Sequence, residues 1–226
     1  MNIGILGSGM VGQTLATALA AAGHAVMIGT REPAATLARQ EADGYGNPPF
    51  GVWLSEHPDV TLGTFAESAA HGDALILATT GSAAKTVLES AGDATDGKIL
   101  LDITNPLDFS AGMPPTLFVC NTDSLAEQLQ QAFPAIRLVK TLNTMNAALM
   151  VAPGSLADGH HTVFVSGNDE TAKQQVIAWL GEWFGWKDVI DLGDVSTARG
   201  TESLLPIWLR LMGALGTTDF QFKIVR

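Results

Sequence analysis

Asn2-Ile3-Gly4-Ile5-Leu6, followed at once by Gly7-Ser8-Gly9-Met10-Val11-Gly12, is the stretch that decides the fold. The first five residues read as a short buried strand and the next six as a glycine-rich turn opening a helix. In that setting the first glycine permits the tight turn, the second lets backbone N–H groups approach a pyrophosphate, and the third lets helix and sheet pack closely. The unpaired N–H groups and the dipole at the helix start then favour an anion. The context agrees. Val11, Leu15, Ala18 and Ala22 recur at helical spacing, Gly23 stops the helix, and a second apolar strand runs from Ala25 to Ile28.

Working outward, the end of that second strand selects the nucleotide. NAD sites commonly place Asp or Glu there for the ribose 2′-hydroxyl. Here the residues are Gly29-Thr30-Arg31. A hydroxyl and a permanently charged guanidinium fork suit a 2′-phosphate, so Thr30 and Arg31 point to NADP(H). Glu32 is the competing feature, because an offset of two residues would bring a carboxylate to the ribose.

Further along, strand and helix patterns alternate, the mark of a Rossmann-type doubly wound, mostly parallel α/β sheet. A helix is expected from Pro33 to about Glu41, a Gly- and Pro-bearing loop from Gly44 to Pro58, and a strand over Val60–Leu62. A short helix over Phe65–Ala70 follows. The strand Ala74–Ala78 is apolar throughout and should be central; it ends in Thr79-Thr80-Gly81-Ser82. Lys98–Asp102 leads into the rigid turn Asn105-Pro106. A helix over Thr122–Ala132 precedes the strand Ile136–Leu142, which ends in Asn143-Thr144-Met145-Asn146-Ala147. Four strand ends thus bring small or polar groups to the carboxyl edge, where ligands of such sheets bind.

Residues 1–150 make the expected nucleotide-binding core and 151–226 a C-terminal βαβ extension with a long apolar helix. The extension comprises strand His161–Val165, helix Glu170–Phe184, strand Val189–Leu192, an apolar segment Ser196–Leu215 interrupted by Pro206, and an alternating terminal strand Phe220–Ile224. The surplus apolar surface from Leu204 to Leu215 predicts a homodimer interface or a flat-ligand contact.

Composition narrows the class. Of 226 residues 46% are hydrophobic and 15% charged, yet no apolar run reaches the roughly 18 to 20 residues that span a bilayer. No signal-peptide pattern opens the chain, so the expected location is cytoplasmic, with no membrane partner. A formal charge of −11 argues against nucleic acid as a partner. Cys120 is the single cysteine and reads as a packed thiol. His160-His161 lacks a spaced third ligand, so no metal is assigned. Asp102 is a candidate either for orienting the Asn105 turn or for a structural role at its strand end, and Asp191 and Asp194 read as capping or surface carboxylates. Trp179, Trp183 and Trp186 read as helix packing.

Together, Gly7–Gly12 with Gly29-Thr30-Arg31, Val139-Lys140-Thr141-Leu142-Asn143-Thr144, Val165-Ser166-Gly167-Asn168 and Arg199-Gly200-Thr201-Glu202-Ser203-Leu204-Leu205-Pro206 resemble the F420-dependent NADP oxidoreductases. The resemblance covers nearly the whole chain. The same architecture is similar to the cytosolic reductase domain of the STEAP metalloreductases, where NADPH passes hydride to a flavin. The resemblance implies that Gly7, Ser8, Gly9, Met10, Val11 and Gly12 hold the pyrophosphate and Thr30 and Arg31 the 2′-phosphate. Thr79, Thr80 and Asn105 would flank the nicotinamide. Asn143, Met145, Asn146 and Ala147 would face a second flat redox cofactor, F420 or a flavin. In the archaeal deazaflavin enzymes the position of Asn143 looks like a His and that of Asn146 a Pro, and the Lys140–Asn143 pattern is closer to the STEAP-like branch. Hydride transfer between two cofactors requires no general base, and no catalytic side chain is assigned. The other class of function open to such a chain is a non-catalytic NADP sensor or scaffold.

Overall fold

A computed structural model describes residues 1–42 and 46–226. Eight strands form one sheet and two more a separate hairpin: β1 Asn2–Leu6, β2 Ala25–Thr30, β3 Val60–Thr64, β4 Ala74–Leu77, β5 Ile99–Asp102, β6 Leu107–Asp108, β7 Thr116–Leu117, β8 Arg137–Thr141, β9 Thr162–Ser166 and β10 Asp188–Asp191. The sheet order is β10-β9-β8-β5-β4-β1-β2-β3, and β6 pairs with β7. From β3 to β8 every neighbour is parallel. β9 joins β8 antiparallel, and β10 lies parallel to β9. The doubly wound sheet is therefore present, with the C-terminal βαβ unit continuing it rather than starting a new one.

Among the described residues ten α-helices surround it: α1 Met10–Ala21, α2 Pro33–Ala38, α3 Phe50–Ser55, α4 Phe65–His71, α5 Ala84–Ala91, α6 Leu125–Ala132, α7 Ala147–Val151, α8 Glu170–Trp179, α9 Ala198–Glu202 and α10 Leu205–Leu215. Local chemistry sets their starts. Thr64 and Glu67 form a reciprocal capping box on α4, Ser124 accepts from the Glu127 amide at α6, and Asp169 accepts from the Ala172 amide at α8. Gly23, at φ +85°, follows α1.

Two cores result. Ile3, Ile5, Ile76, Leu101 and Val139 pack toward Leu15, Leu149 and Val176 of α1, α7 and α8. Leu6, Leu75, Leu77, Leu100 and Leu138 pack toward Leu88, Leu129 and Ala198 of α5, α6 and α9. Alternation along buried parallel strands produces both faces at once.

Several expected elements differ. The first helix after β2 ends at Ala38 rather than Glu41, because Arg39 is extended. The expected loop from Gly44 to Pro58 contains α3, whose Phe50 and Trp53 are buried; its Gly44 and Tyr45 lie outside the described residues. α6 begins at Leu125, three residues later than expected. The helix expected over Glu170–Phe184 keeps α geometry to Trp179 and finishes in a π turn over Leu180–Phe184. Pro206 marks a restart, occupying the first turn of α10, where its missing N–H removes no hydrogen bond. Phe220–Ile224 is not a strand. The Thr162 amide donates to the Phe222 carbonyl, but the Ile224 amide is taken by the Thr162 hydroxyl and the Phe222 amide by the Gln221 side chain, so no ladder continues.

Candidate active site

Register places the expected residues along one edge. Gly29, Leu6, Leu77, Asp102, Lys140 and Ser166 stand side by side across the sheet. The chain leaving five of those strands therefore enters a single crevice as Thr30, Gly7, Ala78-Thr79, Ile103–Asn105 and Leu142-Asn143.

At the glycine-rich turn the three glycines have different causes. A Cβ on Gly7, which adopts φ +136°, would lie 2.1 Å from the Ala78 carbonyl oxygen, and one on Gly12 would lie 2.1 Å from the Gly7 carbonyl oxygen. Packing within the protein requires both. A Cβ on Gly9 would meet nothing within 4 Å. Gly9 borders a cleft of about 450 Å³ lined by Ser8, Gln13, Arg39, Pro49 and Phe50. The chain's own packing leaves Gly9 unexplained, whereas a ligand pressed against the backbone explains it. α1 starts there with no side-chain cap and no acidic residue in its first turn, so its amide groups are left for an anion. Gln13 steadies the turn by donating to the Ser8 carbonyl at 2.9 Å. Met10 is exposed and Val11 half-buried.

Beyond β2, Thr30 is buried and its hydroxyl meets that of Thr36 at 2.9 Å. Arg31 is exposed and forms no ion pair among the described residues. Thr79 is half-buried and Thr80 exposed. Gly81 is small for a reason internal to the fold, since a Cβ there would lie 2.1 Å from the Asn105 carbonyl oxygen.

Asn105 and Asn143 clasp one another. Asn105 Nδ2 donates to the Asn143 carbonyl and Asn143 Nδ2 donates to Asn105 Oδ1, each at 2.9 Å. Leu142 reaches this arrangement at φ +58°, a left-handed conformation that costs a branched side chain on the order of 1–3 kcal/mol and concentrates at functional sites. Asn146 caps α7 through the Leu149 amide and donates to the Thr218 carbonyl at 2.7 Å. That bond draws the C-terminal segment across the α7 start. Met145 and Ala147 are buried.

Beneath the clasp lies a buried cluster of three charged groups. Lys140, 1% exposed, sits 3.1 Å from Asp102 Oδ2 and 3.0 Å from Glu202 Oε1, and donates to the Thr104 carbonyl. Asp102 Oδ1 accepts from the Thr104 amide and hydroxyl, at 2.9 and 2.6 Å. Glu202 accepts from the Leu125 and Ala126 amides at the start of α6. Burial pulls the Lys140 ammonium toward neutrality, but Asp102 and Glu202 outweigh it and hold its pKa above the ordinary lysine value. Arg199, on the same helix as Glu202, forms a separate two-pronged pair with Glu127 on α6. The sequence signal was the lone charged residue in the apolar run Leu138-Val139-Lys140-Thr141-Leu142.

The other candidates are structural. His161 is buried, with Nε2 3.0 Å from the Pro153 carbonyl. Trp179 stacks on Trp183 at 4.7 Å, and Trp186 donates to the Met150 carbonyl. Asp194 caps the turn at Ser196, and Asp191 pairs with Lys173. Cys120 is exposed rather than packed, as its loop carries it away from both cores.

A glycine cradle at a helix start, on the carboxyl edge of a doubly wound sheet, defines a dinucleotide-binding protein of the Rossmann class. The comparisons narrow this. The family model for F420-dependent NADP oxidoreductases matches residues 2–106. A crystal structure from Arthrobacter sp. FB24, provisionally described as an F420-dependent NADP reductase, is 58% identical over 99% of both chains with a TM-score of 0.95. F420-dependent NADP reductase of Methanothermobacter marburgensis is 26% identical, covering 93% of this chain and 92% of that one. Metalloreductase STEAP3 of Rattus norvegicus is 30% identical over 92% of this chain, which spans 38% of that protein's length. The chain belongs to the F420-dependent NADP oxidoreductase family and is an NADP-dependent oxidoreductase. No helix among the described residues is long and apolar enough to cross a membrane.

Proposed function

We propose that this chain moves hydride between NADPH and coenzyme F420, holding NADPH along Gly7–Gly12, Arg31 and Thr79 and the acceptor beside Asn143–Ala147. The observation that carries the reading is Gly9, small without any internal need to be so, on an open cleft at the start of α1. NADPH supplies the hydride and the deazaflavin takes it. What the protein contributes is placement: α1 amides for the pyrophosphate, an exposed Arg31 for the 2′-phosphate, and an Asn105–Asn143 floor against which the nicotinamide would lie. Because the Asn143 and Asn146 side-chain amides are already held by Asn105 and Thr218, stacking and the loop backbone, more than these amides, would orient the second ring.

A flavin is the second reading, favoured by the 30% identity to the metalloreductase STEAP3. Mixing purified protein with NADPH and F420, FMN or FAD and following 340 nm absorbance separates them. F420 reduction is expected; turnover with flavins alone moves the assignment to the second reading, and tight NADPH binding without turnover on any acceptor favours a sensor.

We also propose a homodimer. Ile207, Leu211 and Leu215 are spaced by four along α10, and Ile207 and Leu215 are 47% and 57% exposed. One such stripe is what a two-fold interface covers.

A further inference from the structure

We infer that Lys140, with Asp102 and Glu202, is a positioning device for hydride transfer: it fixes the Thr104–Asn105 peptide that forms the floor of the nicotinamide site. This rests on the functional reading above.

The geometry carries it. Lys140 and Asp102 are register partners on adjacent strands, so their side chains leave the sheet together. Lys140 donates to the Thr104 carbonyl while Asp102 holds the Thr104 amide and hydroxyl. Every polar group of Thr104 is thereby fixed from below. The next residue is Asn105, pinned sideways by Asn143. Stripping water from an ammonium and two carboxylates is costly, and apolar residues of equal volume commonly fill such a space as well or better. A fold that needed only stability has that cheaper solution. What apolar residues cannot do is hold a peptide at one position and orientation, which is what a hydride donor requires of its floor, where displacements of about 1 Å cost orders of magnitude in rate. Glu202 adds a further link, because its carboxylate binds both Lys140 and the first amides of α6. The floor, α6 and α9 are thereby locked as one body.

Lys140→Met strands two buried carboxylates and risks not folding, so the test uses Thr104→Val, which keeps every charge and the chain's shape, and Glu202→Gln. Arg137→Gln is the control: it breaks the pair with Asp169 at the opposite end of β8 and touches neither the floor nor Glu202. NADPH affinity is measured by calorimetry, and emission of the bound nicotinamide and its primary deuterium isotope effect report placement. Thr104→Val and Glu202→Gln should bind NADPH within threefold of the parent, shift nicotinamide emission and lose at least tenfold in kcat. Arg137→Gln should lower Tm and change neither emission nor kcat. Unchanged emission and kcat in both floor variants overturns the inference. A parent protein that binds no NADPH overturns the functional reading, and the inference with it, which is a distinguishable result.

Discussion

The glycine-rich turn and the residue after β2 divide cleanly into groups the fold needs and groups only a ligand needs. Gly7 and Gly12 stand against carbonyl oxygens, whereas Gly9 stands against open space. Gly12→Ala should therefore lower Tm by several degrees. Gly9→Val should leave Tm within a degree or two and weaken NADPH at least tenfold. A parallel melt and calorimetric titration of the two variants checks this, and equal thermal loss in both would place Gly9 among the packing glycines. Arg31 tests nucleotide choice. NADPH should bind at least tenfold tighter than NADH, about 1.4 kcal/mol, and Arg31→Ala should remove most of that gap while leaving the maximal rate almost unchanged, since a phosphate contact is equal in ground and transition states. Equal affinities of the unaltered protein for the two nucleotides would refute it. Thr30, assigned to the same phosphate, has its hydroxyl turned to Thr36, so Thr30→Val should matter less than Arg31→Ala.

Among the elements, β8 and β9 show how ion pairs fasten the extension to the core. Arg137 at the start of β8 binds Asp169, the cap of α8, through both carboxylate oxygens. The Arg137 hydrogen bond, helped by the Ala172 amide, lowers the Asp169 pKa to about 2. A depressed carboxylate pKa contributes stability that is whole above the unfolded value near 3.8 and fades as pH falls toward about 2. The acid limb of the stability curve over that interval should flatten in Asp169→Asn, as chemical denaturation at stepped pH would read. A curve superimposable on the parent's would show that the pair adds nothing to stability. These elements also show what sequence pattern can and cannot reveal. The parallel core was legible because buried strands are short continuous apolar runs, and their polar ends necessarily share an edge. α3 was not, since Pro48, Pro49 and Gly51 outweigh the local spacing of Phe50, Trp53 and Leu54, and only burial against α2 and the sheet settles them as a helix. The terminal alternation of Phe220–Ile224 pointed to a strand, but Thr162 and Gln221 side chains take the amides a ladder would use. The Asp102–Lys140–Glu202 cluster was not legible in the sequence: Lys140 is the one charge in an apolar run, but its partners come from β5 and α9, a pairing that no local pattern encodes.

For the whole molecule, the open question is what covers α10. Trp208, counted with the apolar surplus, faces inward, 9% exposed and 5.2 Å from the Phe220 ring, so the surface left over is narrower than the sequence suggested. It is the Ile207–Leu211–Leu215 stripe. A charge at Ile207, 47% exposed, disturbs far less packing within the chain than one at Trp208, which is 9% exposed and packs on Phe220 in the segment that Asn146 tethers at Thr218. Ile207→Asp is therefore the discriminating change. If a second copy covers the stripe, light scattering at micromolar concentration should give the mass of a dimer for the parent and of a monomer for Ile207→Asp, with both melting cooperatively. The two functional sites should respond differently. NADPH affinity should stay within twofold, because the glycine cradle and Arg31 lie on β1, α1 and β2, remote in sequence and secondary structure from α10. Acceptor turnover should fall, because α10 leads directly into the segment lying over the α7 start, beside the proposed second ring. A monomeric parent would remove the interface proposal. A monomeric Ile207→Asp with full turnover would keep the interface and separate it from the acceptor site.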